Sequence, residues 1–138
     1  MRTGLDVVGW DPKFSGGLAH RLDTPTSGQV LSAHTSEDLV WLRALFSGGG
    51  LEKVYHFVSA GEVPWDTNTV DAPIAHDKRK RTKMIVSRGQ QTPHRGKWSP
   101  ARTEFERVGP TTDGAQLWCA VIRTGVMHQI RAHAAFVG

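Results

Sequence analysis

Cysteine is nearly missing: the 138 residues hold one, Cys119. A lone thiol excludes an internal disulfide and any multi-cysteine zinc cage, and it fits a reducing compartment, with the cytoplasm as the default. Long apolar runs are missing too, since no stretch approaches the roughly 18 uninterrupted apolar residues of a membrane helix. Met1-Arg2-Thr3-Gly4 opens without a signal peptide's apolar core. There is no internal repeat. Gly48-Gly49-Gly50 is not followed by Gly-Lys-Ser/Thr, so it reads as a helix stop and not as a phosphate-cradling loop. What is present, 38% hydrophobic and 22% charged residues, is the composition of a folded globular domain. The length suits a single domain over 1–138 with a real core.

The net charge of +4 is unevenly placed. Residues 76 to 107 carry ten basic residues (Lys78, Arg79, Lys80, Arg81, Lys83, Arg88, Arg95, Lys97, Arg102 and Arg107) against Asp77, Glu104 and Glu106. That segment is +7 and the rest of the chain is −3. Such polarity points either to a polyanionic partner met on one side or to a solvated basic loop.

Along the chain, residues 1 to 19 are Gly-rich and irregular, and Gln29 to Ala33 reads as a short strand leaving a turn. Thr35 or Ser36 can cap a helix whose first turn holds Glu37 and Asp38, with Leu39, Leu42, Leu45 and Phe46 on one face. Lys53 to Ala60 alternates as a strand, with Val54, His56 and Val58 on one face and Tyr55, Phe57 and Ser59 on the other. Val70 to Ile74 is a short edge segment limited by Pro73. Gly89 to Pro100 reads as an exposed loop. Thr103 to Val108 and Gln116 to Arg123 read as strands around a turn at Gly109 to Gly114, and Met127 to Phe136 has helical character. Successive strands lie close in sequence, which predicts an α+β domain with a mixed, largely antiparallel sheet and flanking helices.

Two polar clusters carry possible chemistry. His20-Arg21-Leu22-Asp23-Thr24-Pro25-Thr26-Ser27-Gly28 describes a tight loop presenting a carboxylate near a guanidinium, although Asp23 as a plain turn residue fits the same letters. In Met127-His128-Gln129-Ile130-Arg131-Ala132-His133, His128 and Arg131 share one helical side at i, i+3. His128 and His133, five apart and without a third ligand nearby, do not make a metal pair. Each of Trp10, Trp41, Trp65, Trp98 and Trp118 can serve core or loop packing, or stack on bases.

The first cluster resembles the signature of the RluA family of RNA pseudouridine synthases, His-Arg-Leu-Asp-x-x-Thr-Ser-Gly, at all seven specified positions. Three further stretches follow in family order. Lys53-Val54-Tyr55 is similar to its Lys-x-Tyr strand, Lys97 to Phe105 with Ala101 and Thr103 to its Gly-Lys-x-Ala-x-Thr-x-aromatic strand, and His128 to His133 to its His-Gln-Ile-Arg-x-His element. The resemblance implies a pseudouridine synthase-like catalytic fold and cofactor-free, metal-free isomerisation of a uridine in structured RNA, ribosomal or transfer, by a monomer. It implies Asp23 as the catalytic carboxylate, attacking ribose C1′ or uracil C6. Arg131 would pair with it, and Tyr55 would stack on the flipped uracil. Arg21 would enter the vacated space, while Lys78, Arg79, Lys80, Arg81, Lys83, His128 and Gln129 would contact RNA. Lys53 is left between a structural and an RNA-facing charge. Lys78-Arg79-Lys80-Arg81 also has the form of a nuclear localisation signal.

The chain departs from the pattern at three places. No Lys-Pro-x-Gly precedes His20, no Gly-Asp-x-x-Tyr-Gly follows the last motif, and Val126 stands where the family has Arg. The expectation is therefore a partial catalytic domain without an S4-type RNA-binding domain. Its function is either the enzyme or a non-catalytic RNA-binding remnant that keeps the basic face.

Overall fold

The computed structural model describes residues 16–138, so residues 1 to 15, including Trp10, lie outside the described part. The chain divides into two compact units, one ending at Gly48 and the other running from Gly49 to Gly138.

In the first unit, helix α1 spans Ser36–Ser47. Thr35 caps it: its Oγ1 accepts from the Asp38 N–H at 3.1 Å and donates to Asp38 Oδ2 at 2.8 Å. Gly48 ends it, its N–H donating to the Ala44 carbonyl at 2.8 Å. Leu39 is fully buried, whereas Val40 and Trp41 face solvent. The strand expected over Gln29 to Ala33 is reduced to a single bridge between Leu18 and Ser32, flanked by Ala19 N–H to Leu31 O and Ala33 N–H to Gly17 O, both 2.9 Å. The run is exposed and its partner segment short, so no longer ladder forms.

The second unit is α+β, with every strand pair antiparallel. Its strands are β1 (Lys53–Ser59), β2 (Thr67–Asp71), β3 (Ile74–Asp77), β4 (Met84–Val86), β5 (His94–Ser99), β6 (Arg102–Pro110) and β7 (Gln116–Ile122), followed by helix α2 (Gln129–Val137). They form a four-stranded sheet in the order β1-β7-β6-β2 and a three-stranded sheet in the order β4-β3-β5.

Neighbouring strands β2 and β6 are linked by the entire smaller sheet. The chain leaves the larger sheet at Ala72-Pro73 and returns at Pro100-Ala101, and the Ala72 N–H donates to the Ala101 carbonyl at 3.1 Å, tying the two crossings together. Proline removes a ladder donor at each crossing, a natural place for a strand to change sheets. Val70 to Ile74, expected as one edge segment, is therefore split between two sheets at Pro73.

Gly89 to Pro100, expected as an exposed loop, contains strand β5. His94-Arg95-Gly96-Lys97-Trp98-Ser99 pairs by backbone with β3, through an irregularity between Ile74 and His76. As a largely solvated edge strand it buries no apolar face, so it carries no alternating pattern to read.

Two apolar clusters share helix α2. Val70, Phe105, Trp118 and Ala120 form one, packed by Phe57, Trp65, Ile130 and Ala134. Ile74, Met84, Val86 and Ala101 form the other, covered by Val126, Ala132 and Phe136. Trp65 lies 4.8 Å from Trp118 between ring centroids, and the Trp118 indole N–H donates to Ser59 Oγ at 3.1 Å. The larger-sheet tryptophans thus serve the core, as aromatic bodies with one polar end do. Trp98 is half-buried against His94, at 4.3 Å.

Candidate active site

In the first unit the signature loop is held by its own backbone and by its neighbours. The Thr26 N–H donates to the Asp23 carbonyl at 2.8 Å, closing a turn with Thr24-Pro25 at its tip. Upstream, His20 Nε2 accepts from the Leu31 N–H at 3.1 Å, and its ring packs 4.5 Å from Phe46 of α1. The Arg43 guanidinium donates to the Leu18 carbonyl at 3.3 Å. Gly28, at φ 151°, adopts a backbone conformation that L side chains rarely take, which accounts for glycine at the end of the signature. Asp23 is half-buried and Arg21 exposed.

In the second unit, the faces of β1 alternate as expected. Lys53, Tyr55, Phe57 and Ser59 are half-buried, while Val54, His56 and Val58 are exposed. Tyr55 stands opposite Ala120 of β7. Burial lowers the Lys53 ammonium below its ordinary value of 10.5. A Cβ on Gly125 would come within 3.3 Å of Lys53 Nζ, so glycine leaves room for this side chain just before α2.

The last motif separates into an outward and an inward set. Arg131 is exposed on α2, and His128 occupies the N-cap in a left-handed conformation, φ 53°. Gln129 and His133, one turn apart, are buried. Gln129 Nε2 donates to the Arg102 carbonyl at 2.9 Å and to Thr103 Oγ1 at 3.1 Å. Its Oε1 accepts from Thr124 Oγ1 at 2.8 Å and from the Val126 N–H at 3.2 Å. His133 Nε2 lies 2.9 Å from the Ala72 carbonyl and its Nδ1 lies 2.8 Å from Thr103 Oγ1.

A carbonyl only accepts, so Nε2 carries the proton, Nδ1 accepts, and the Thr103 hydroxyl donates to it. Burial pushes the His133 imidazole below its ordinary 6.5, against smaller opposing effects from the Ala72 hydrogen bond and the Asp71 charge. Gln129, expected at the RNA, is instead a fully used buried amide. Thr103 and His133 belong to the strand and helix motifs, where the sequence alone suggests no role for either. The signal that points to His133 is the i, i+4 polar pair it makes with Gln129 among the apolar positions of α2.

The basic run forms the β3–β4 hairpin tip. Asp77 Oδ1 accepts from the Arg79 N–H at 2.7 Å and the Lys80 N–H at 2.8 Å. The Lys80 and Arg79 N–H groups hold the Asp77 carboxyl below its ordinary value, helped by the Lys83 and Arg79 charges. Arg95 of β5 donates to the Lys78 carbonyl at 3.1 Å. The backbone of the tip is thereby fixed while Lys78, Arg79, Lys80, Arg81 and Lys83 remain exposed.

The ten cations of the basic segment then sort into two groups. Arg102 pairs with Asp71 and Glu104, and Arg107 with Asp66, on the larger sheet. Among the described residues, no ion pair joins a carboxylate to the other eight, which lie in residues 78 to 97, on or beside the smaller sheet. Asp23 and Arg21 belong to the first unit, whereas Tyr55, His128, Gln129, Arg131 and the basic hairpin belong to the second.

A sequence profile described as RNA pseudouridylate synthase matches residues 11–136, and the chain belongs to that family. A protein of Chloroflexus aurantiacus described as an uncharacterized RNA pseudouridine synthase is 33% identical over 123 residues, covering 88% of this chain and 35% of its own. Ribosomal large subunit pseudouridine synthase D of Zymomonas mobilis is 33% identical over 123 residues, covering 88% of this chain and 36% of its own. The chain thus spans about a third of the length of these relatives. Human RNA pseudouridylate synthase domain containing 1 superposes with a TM-score of 0.73 at 22% identity, over 91% of this chain and 53% of that one. That likeness is one of fold.

Proposed function

We propose that this chain is the RNA-modifying part of a pseudouridine synthase, isomerising a uridine of structured RNA with Asp23 as the catalytic carboxylate. The observation that carries the reading is the complete signature around Asp23, set in a closed turn in a chain of this family. In the reaction the N1–C1′ bond breaks and a C5–C1′ bond forms. C5 loses its proton and N1 gains one, so no electrons are exchanged and no cofactor is needed. Asp23 attacks ribose C1′ or uracil C6, holding the two fragments in one site while the base turns.

In this reading Arg131 pairs with Asp23. Tyr55, on the half-buried face of β1, stacks on the uracil. A base within paired RNA is unreachable, so it is flipped out, and Arg21 fills the space. His128 and the hairpin cations Lys78, Arg79, Lys80, Arg81 and Lys83 hold the flanking phosphates. Gln129 is assigned to supporting α2. The name of the Zymomonas mobilis relative favours ribosomal over transfer RNA. The same reading has the protein act as a monomer in the cytoplasm.

The test is incubation with bulk RNA from a strain lacking the corresponding synthase, followed by chemical mapping of pseudouridine. New pseudouridine with the wild-type chain and none with Asp23→Asn is the expected result. RNA retention without any pseudouridine would establish a non-catalytic RNA-binding remnant instead.

A further inference from the structure

The apolar contacts of α2 are spread over a broad face. At about 100° per residue, Ala132, Phe136, Gln129, His133, Val137, Ile130 and Ala134 follow one another around a broad inward arc. Ile130, Ala134 and Val137 meet one apolar cluster, and Ala132 and Phe136 meet both or the other. Arg131 and Ala135 are the exposed positions left over. Alanines on such an arc supply contact without direction, because dispersion and apolar burial are insensitive to small rotations. Four residues on the chain of hydrogen bonds do supply direction: Thr124, Gln129, Thr103 and His133, closed at its ends by the carbonyls of Arg102 and Ala72.

The donors and acceptors in this chain have one consistent order. The Thr103 hydroxyl has a single proton, which goes to His133 Nδ1, so its oxygen is open to receive the Gln129 amide. Gln129 in turn has both amide protons and its oxygen engaged. Turning the helix breaks several of these bonds at once, including the two buried ones at Thr103 Oγ1, which leaves buried polar groups unpaired.

We propose that Thr103, Gln129 and His133 are positioning residues that set the rotation of α2 and so aim Arg131, which stands roughly opposite them on the helix. The inference rests on the proposed function for what Arg131 does, and on the hydrogen-bond geometry alone for how it is held. Thr103 is the central member, since Thr103→Val keeps the shape and removes only the hydroxyl.

Two readouts on the full chain test this. The first is the Arg131 side-chain Nε–H resonance, which needs no activity. It is expected to shift or broaden in Thr103→Val and to return in Thr103→Ser, which restores the hydroxyl. An unchanged resonance in Thr103→Val overturns the proposal. The second is the initial rate of pseudouridine formation in saturating bulk RNA from a synthase-deficient strain. Thr103→Val is expected to lower it at least about tenfold, as small misplacements of reacting groups do, with little change in the RNA concentration giving half-maximal rate. In an Arg131→Ala background the same substitution is expected to change the residual rate less than about twofold, because Thr103 acts through Arg131. Additive losses would sink the idea.

Should Thr103→Val not fold, His133→Phe keeps a ring, removes the acceptor of the Thr103 hydroxyl and is read in the same way. In the wild-type protein the ¹⁵N spectrum must show His133 as the Nε2–H tautomer, and the Nδ1–H tautomer is contrary to the proposal. A wild-type chain without activity whose Arg131 resonance still responds to Thr103→Val defeats the enzymatic reading and leaves the positioning one intact.

Discussion

The Thr103 hydroxyl donates to Nδ1 of His133 across 2.8 Å, with both residues fully buried. One belongs to the strand motif and the other to the helix motif, so two stretches thirty residues apart in sequence meet in one hydrogen bond. The bond gives the second unit a buried polar lock, and its loss has a measurable cost.

Thr103→Val leaves the His133 Nδ1 without a donor and one Gln129 amide proton without an acceptor. Unsatisfied buried groups of this kind cost about 1–3 kcal/mol each, and a total loss of about 2 kcal/mol is expected in urea unfolding. Thr103→Ser, which gives up only a methyl group, is expected to lose about 1 kcal/mol. Equal losses in the two variants would show that the hydroxyl contributes nothing.

Stability depends on pH through His133. Its folded-state affinity for a proton is depressed, so the unfolded chain binds the proton first as the pH falls. The contribution is constant above the ordinary value of 6.5, declines as pH drops below it, and levels off below the folded-state value. The wild-type urea midpoint is therefore expected to fall between pH 7 and pH 5. In His133→Gln that part of the decline is expected to be absent, and an unaltered slope would contradict this assignment.

Trp118 and Trp41 are expected to behave oppositely. Trp118 is buried among Trp65, Phe105 and Val70, with its indole N–H bonded to Ser59. Trp118→Ala is expected to cost about 3–5 kcal/mol. Trp41 on α1 is 61% exposed, and Trp41→Ala is expected to stay within about 0.5 kcal/mol of wild type. Chemical denaturation of both variants checks the contrast.

The sorting of cations predicts a split in salt dependence. Each phosphate-binding cation contributes about 0.7–0.9 to the steepness with which log affinity falls against log salt. Neutralising Lys78, Arg79, Lys80 and Arg81 together is expected to reduce that slope by about 3 for RNA binding. Arg102→Gln, at a residue already paired with Asp71 and Glu104, is expected to leave it unchanged. Filter binding across a salt series distinguishes the two.

Much of the fold is legible in the sequence where residues obey a period or a cap. Thr35 before Glu37 and Asp38 marks α1, and the alternation in Lys53 to Ala60 and the strand-like run Gln116 to Arg123 mark two strands of the larger sheet. The solvated strand around Gly96 gives no such sign, because alternation reports a buried face and it has almost none. Gln129 escapes a reading from letters for a related reason: in a motif every position invites a functional role, and only burial distinguishes the amide that supports the helix from the side chains that face out. The split at Pro73 is half visible, since proline announces a break in a ladder but not that the chain passes into another sheet.

The paired crossings at Ala72-Pro73 and Pro100-Ala101 make the smaller sheet a side loop grown out of a hairpin between two adjacent strands. A segment inserted that way can change its length and its charge without disturbing the register of β2 on β6. Yet Met84 and Val86 within it share their apolar cluster with Val126, Ala132 and Phe136 around α2. The inserted sheet thus leans directly on the helix that carries Arg131, so that a change in its packing is also a change in how that helix is seated.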